Sequence, residues 1–226
     1  FIAPYLGSPR RARRTKPHDP VPSRYVAELV EAMGAGRVVT LEVHNLAAFE
    51  NGFRIPTVHV ESAPLFAAHF AGLVGDGPVS AISPDSGGMK RAEAFRMALE
   101  GALGGPVAGG FMEKYRSTGA VTGSSFTGEV EGRTVVIFDD MISSGGTMAR
   151  TAAACREHGA ARIYLAAAHG LFNAEAEAIL SRAGVDGVVV TDTVSPRTDL
   201  SDRFRATLTV LDSSGPIAEA LVAPRL

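Results

Sequence analysis

The segment TVVIFDDMISSGGTMARTAAACREHGA, from Thr134 to Ala160, holds the densest chemistry in the sequence. An apolar run of strand composition leads into two carboxylates, Asp139 and Asp140. Ser143, Ser144, Gly145, Gly146 and Thr147 follow and open a stretch of helical length. Small residues at the start of a helix put backbone N–H groups and hydroxyls around its positive end, which is how proteins hold a phosphate monoester. Carboxylates at the carboxyl end of a strand stand where open α/β sheets bind ligands, placed for sugar hydroxyls or a hydrated metal.

Elements able to position such a site recur along the chain. β-branched runs predict strands at Arg37 to Val43, Val79 to Ser83, Thr134 to Phe138, Arg162 to Ala168, Gly187 to Thr191 and Thr207 to Leu211. Helices are predicted at about Pro22 to Met33, Gly88 to Leu103, Gly146 to His158, Ala174 to Ala183 and Pro216 to Val222. Gly34, Gly104, Gly159 and Gly184 stand where left-handed C-caps would end four of them. The alternation predicts an α/β fold, a mostly parallel sheet flanked by helices. The Gly-, Ser- and Thr-rich stretch from Gly109 to Gly132 breaks the alternation and predicts a mobile loop or an exposed hairpin.

Composition narrows the function classes. At 226 residues, 46% hydrophobic and 20% charged, the chain has enough apolar material for a sizeable core and is not a disordered tail. The lone cysteine, Cys155, cannot make an internal disulfide or a structural zinc site. No apolar run reaches the roughly 18 residues of a membrane span, so a cytoplasmic protein with no membrane partner is expected. The net charge of −2 hides an asymmetry: residues 1–24 carry six bases and one acid, leaving 16 bases and 23 acids elsewhere. By charge alone this basic segment attracts anions and reads as a solvated arm or a nucleic-acid patch.

Taken in order, several segments resemble the ribose-phosphate pyrophosphokinase family, the synthases of phosphoribosyl pyrophosphate (PRPP). DDMISSGGT is similar to its ribose-5-phosphate loop, PYLGSPRRARRTKPHDPV to its nucleotide segment and LEVHN to its metal-site strand end. SPDSGGMKRA is similar to its second acidic loop, EKYR to its flexible catalytic loop, and VVVTDTV and SGPIAEAL to its C-terminal segments.

The resemblance implies roles position by position. Lys114 and Arg116 would be catalytic. Arg116, Asp139, Asp140, Ser143, Ser144, Gly145, Gly146 and Thr147 would bind ribose 5-phosphate. Arg10, Arg11 and His44 would contact ATP, and His44 and Asp85 would serve Mg²⁺, while His169 would have a positioning role. The implied reaction passes a diphosphoryl group from Mg·ATP to ribose 5-phosphate. The resemblance further implies two similar phosphoribosyltransferase-like domains and a homo-oligomer whose nucleotide site is shared between subunits, with no nucleic-acid partner. Residues 1–60 would be the second half of the first domain, 61–210 the second domain, and 211–226 a strand end and helix packing back on the first. The apolar start FIAPY suggests missing upstream residues, and such a chain is expected to be poorly active or poorly soluble alone. The family usually has glutamine where Arg11 stands and often aspartate where Ser143 stands. These departures leave a non-catalytic regulatory subunit as an alternative, and the phosphate loop by itself also suits a PRPP-consuming phosphoribosyltransferase.

Overall fold

The computed structural model describes residues 1–7, 21–117 and 120–222, with the backbone alone over 114–124. In chain order the elements are α1 (Pro22–Ala32), β1 (Val38–Leu41), α2 (Leu46–Glu50), β2 (Thr57–Val60), α3 (Ala63–Leu73), β3 (Val79–Ser83), α4 (Met89–Leu103), β4 (Val107–Ser117) and β5 (Ala120–Gly128). They continue as β6 (Thr134–Ile142), α5 (Gly146–Glu157), β7 (Arg162–Gly170), α6 (Ala176–Arg182), β8 (Gly187–Thr191), α7 (Asp202–Arg205), β9 (Leu208–Leu211) and α8 (Ser214–Val222). The chain divides into two compact units, residues 1–62 with 212–226, and residues 63–211.

In the first unit, β1 and β2 run parallel with Val38 opposite Thr57, and residues 1–3 lie along the other edge of β1 through Ala3 N–H to Val39 O, 2.9 Å. Pro22, whose fixed φ suits a first helical turn, starts α1. Val30, Val38, Val43 and Phe49 form the core of this unit. Glu42 takes a left-handed conformation, φ +46°, and stops β1 at Leu41, so the predicted strand ends two residues early. Its buried carboxylate accepts from Ser62 N–H at 3.1 Å and Ser62 Oγ at 2.7 Å.

The second unit is built on a seven-stranded sheet in the order β5-β4-β3-β6-β7-β8-β9, parallel except for the β4–β5 pair. Alternation along its central strand serves two cores. Val135 and Ile137 pack with Ile163, Leu165, Met148, Cys155 and Leu180, whereas Val136 and Phe138 pack with Phe66, Phe70, Phe95 and Leu99. Phe95 stacks on Phe138 with ring centroids 4.5 Å apart. With helices covering both faces, every residue of β3 and β8 is buried, the small polar Ser80, Ser83 and Thr191 included.

Several elements depart from the sequence expectation. The Gly109 to Gly132 stretch is the β4–β5 hairpin, one of its two expected forms; few of its residues are β-branched, and cross-strand pairing holds it. α3 reads APLFAAHFAGL, with no charged residue to mark a polar face, so no helical period betrays it. β2, α2 and α7 are only four or five residues long and fall below what a pattern can signal. β6 runs four residues past Phe138 to Ile142, which puts Asp139 and Asp140 inside the strand rather than beyond it. Gly34, Gly104, Gly159 and Gly184 all have positive φ at the ends of helices.

Candidate functional site

The strand-to-helix turn after β6 is shaped by its neighbours. Leu171 and Phe172 N–H both donate to Ile142 O, at 2.9 and 3.1 Å, and Asn173 N–H donates to Ser143 O at 2.9 Å. The segment after β7 thus holds the start of the turn from outside. Phe172 is fully buried and held at φ +38°, a costly conformation for a bulky residue that persists only where packing over-determines it. Gly145 caps α5 at φ +77°, and a Cβ there would fall 2.7 Å from Leu180 Cδ2, so glycine is required on both counts.

This turn points the first N–H groups of the 12-residue α5 into the loop, where no helical carbonyl precedes them. Ser144 Oγ lies 3.4 Å from Gly146 N, and Thr147 Oγ1 lies 3.3 Å from an Arg150 guanidinium nitrogen. Backbone dipoles, the Ser144 and Thr147 hydroxyls and a nearby cation therefore lie together at this turn. The arrangement can hold a dianionic phosphate.

Beside it, Asp139 and Asp140 occupy successive positions of β6, and Asp140 N–H donates to Asp139 Oδ1 at 2.9 Å. Arg91, on the first turn of α4, places Nη1 2.9 Å from Asp139 Oδ1 and 3.6 Å from Asp140 Oδ1. Burial first, then the Asp140 carboxylate, push the Asp139 carboxyl up to about 7 against the pull of Arg91. Gly88 lets α4 approach: a Cβ on it would lie 2.9 Å from Ser83 Oγ and 3.3 Å from Asp139 Oδ1.

The other expected site residues fall as follows. Asp85 caps the 3₁₀ turn Ser86–Gly88, its Oδ1 accepting from Gly87 N–H at 3.0 Å and Gly88 N–H at 3.1 Å. This sets the second acidic loop next to Asp139 through Gly88. His44 is exposed between β1 and α2 in the first unit; the next residue, Asn45, caps α2 by accepting from Ala48 N–H at 2.9 Å. His169 is buried, with Nδ1 2.7 Å from Thr193 Oγ1. Lys114 lies on β4 opposite Ser124, and the pairing register shifts between Tyr115 and Arg116. The side chains of Lys114 and Arg116, and the whole of Arg10 and Arg11, lie outside the described residues. Among the described residues, no three His, Cys, Asp or Glu side chains gather as a metal cage.

Sequence reasoning missed Arg91, Gly88 and Phe172. Only Arg91 left a signal, a base six residues after Asp85 at the start of a predicted helix. Gly88 and Phe172 owe their importance to contacts made across the fold.

Fold and site together define an α/β protein of the phosphoribosyltransferase-like class. Residues 121–223 match the family described as phosphoribosyl synthetase-associated domain. The chain is 31% identical over 227 residues to ribose-phosphate pyrophosphokinase 1 of Streptococcus pyogenes, covering 98% of this chain and 67% of that one. It is 33% identical over 194 residues to the ribose-phosphate pyrophosphokinase of Caldanaerobacter subterraneus subsp. tengcongensis, covering 85% of this chain and 59% of the relative. A crystal structure of phosphoribosylpyrophosphate synthetase from Mycobacterium smegmatis superposes with a TM-score of 0.84 at 29% identity, covering 98% of this chain and 70% of that one. The chain belongs to the ribose-phosphate pyrophosphokinase family. It spans 59% and 58% of the length of two of the curated relatives it matches. Among the described residues, no helix is long and apolar enough to cross a membrane.

Proposed function

We propose that the protein passes a diphosphoryl group from ATP to the anomeric hydroxyl of ribose 5-phosphate, giving PRPP and AMP. The observation that carries this reading is the adjacency of an anion-holding helix start, Ser143 to Thr147, and a carboxylate pair, Asp139 and Asp140, on one strand-to-helix turn. The loop would take the 5-phosphate, and the carboxylates would accept from ribose hydroxyls. That fixes the sugar by both ends and presents its anomeric oxygen for in-line attack on the β-phosphorus. The P–O bond between the α- and β-phosphates breaks, AMP leaves, and the anomeric proton passes to solvent.

Catalysis of this kind is mainly positioning and charge stabilisation. Lys114 and Arg116, carried on the β4–β5 hairpin, would close on the transferring group, and Arg10 and Arg11 would bind the nucleotide. The family resemblance supports a Mg²⁺ role for Asp85 and one for His44; such an ion takes few protein ligands and is held chiefly by water and substrate phosphates. Bound to the triphosphate, that ion would neutralise phosphate charge. The family resemblance further supports a homo-oligomer in which subunits share the nucleotide site.

The test is to incubate the full-length protein with ribose 5-phosphate, Mg²⁺ and ATP and follow products by phosphorus NMR. Equimolar AMP and PRPP are expected. ADP without PRPP overturns the reaction, and tight substrate binding without turnover favours a regulatory subunit.

A further inference from the structure

Arg91 sits where a cation does nothing for its own helix. It is the third residue of α4, in a first turn with no acidic residue, and its positive charge opposes the helix dipole there. Nor is it needed to dock α4, which is already held by Phe95 stacked on Phe138 and by Leu99 in the same core. Its side chain is 13% exposed, and the two carboxylates it reaches are 19% and 3% exposed. Withdrawn ion pairs of this kind add little net stability over an apolar packing, so their use is better sought in what they orient.

The geometry shows what is oriented. Oδ1 of Asp139 is held from two directions, by Arg91 Nη1 and by Asp140 N–H, each at 2.9 Å. Gly88 fills the remaining space on that side, leaving 3.3 Å from the place of an added Cβ to the same oxygen. The carboxyl plane is thereby set before any ligand arrives. Arg91 works against the proton uptake that burial and the Asp140 carboxylate favour at Asp139, and the ionised carboxyl it secures meets a sugar hydroxyl as an acceptor rather than a donor.

On the reading that Asp139 accepts from ribose hydroxyls, we propose that Arg91 is a positioning residue of the sugar half of the site, holding Asp139 and Asp140 as oriented acceptors without itself touching the sugar. The phosphate half, Ser143 to Thr147, is set by α5, Leu180 and the segment after β7, so it stands apart from Arg91.

The two halves can be read separately. Calorimetric titration of the 226-residue protein with ribose 5-phosphate reports both halves, and titration with inorganic phosphate reports the loop alone. Arg91→Met is expected to weaken ribose 5-phosphate binding about tenfold or more and to leave phosphate binding unchanged, which also shows that the variant is folded. Arg91→Lys should recover part of the loss, since it keeps the charge without the planar fork. In Arg91→Met/Asp139→Asn the loss should be no greater than in Asp139→Asn, because one residue acts through the other. Wild-type affinity in Arg91→Met, an equal loss for phosphate, or additive losses in the double variant would each overturn the role of Arg91 alone. A wild-type protein with no preference for ribose 5-phosphate over phosphate would overturn the sugar-site reading, and the role of Arg91 with it.

Discussion

Gly145 and Leu180 meet so closely that the missing Cβ of the glycine would lie 2.7 Å from Cδ2 of the leucine. The phosphate turn is therefore pressed onto α6 at the residue that also needs a left-handed backbone, φ +77°. Gly145→Ala should destabilise by about 1–3 kcal/mol through overpacking and strain, lowering the melting temperature by about 2–4 °C per kcal/mol. In Gly145→Ala/Leu180→Ala the loss should be smaller than the sum of the two single losses, since removing the leucine relieves the clash but leaves the strain and opens a cavity. Full additivity of the two losses in thermal melts would contradict this packing.

Thr147→Val tests the anion site with little change of shape. It removes a hydroxyl from the loop while keeping the helix start. Ribose 5-phosphate affinity is expected to fall by about 1–2 kcal/mol, the value of a hydrogen bond to a charged group. The melting temperature should move by less than a degree or two. An unchanged dissociation constant in calorimetry would place the phosphate elsewhere.

Lys114→Ala separates chemistry from binding. If the hairpin lysine stabilises charge only as the diphosphoryl group moves, kcat should drop by about a hundredfold or more. Affinity for ribose 5-phosphate should stay within a few-fold of wild type. Steady-state kinetics beside direct binding decides it, and equal loss in both would assign the residue to ground-state binding.

The Asp139 carboxyl gives the stability a pH signature. Its folded value, about 7, lies above its ordinary value of 3.8, so the folded protein binds more protons than the unfolded chain between those limits. Stability from this group is greatest in acid and is lost as pH rises through that window. His69 acts in the opposite sense, because burial lowers its value and costs stability as pH falls below the usual histidine range. The comparison is therefore made between variants: the gain in melting temperature of Asp139→Asn over wild type should grow from pH 4 to pH 7 and level off above. A gain independent of pH would mean that Asp139 is not displaced upward.

Local features could be read straight from the chain. β3 and β8 were legible to the residue, as Val79 to Ser83 and Gly187 to Thr191, because a strand covered on both faces is a short run of apolar and small residues with no charge in it. The anion loop was legible because one turn of chain carries all its parts, from Asp139 to Thr147. Other features arose from contacts between distant parts of the chain. Strand pairing made a hairpin of a Gly- and Ser-rich stretch, a φ of +46° at Glu42 cut β1 short, and burial on a sheet drew a helix from the uncharged run Ala63–Leu73. Such contacts also brought Arg91 to Asp139 across 48 residues of chain and set Phe172 behind the phosphate turn. Such pairings leave no local trace, since they depend on the order in which parallel strands lie side by side, and that order is settled by packing over the whole sheet.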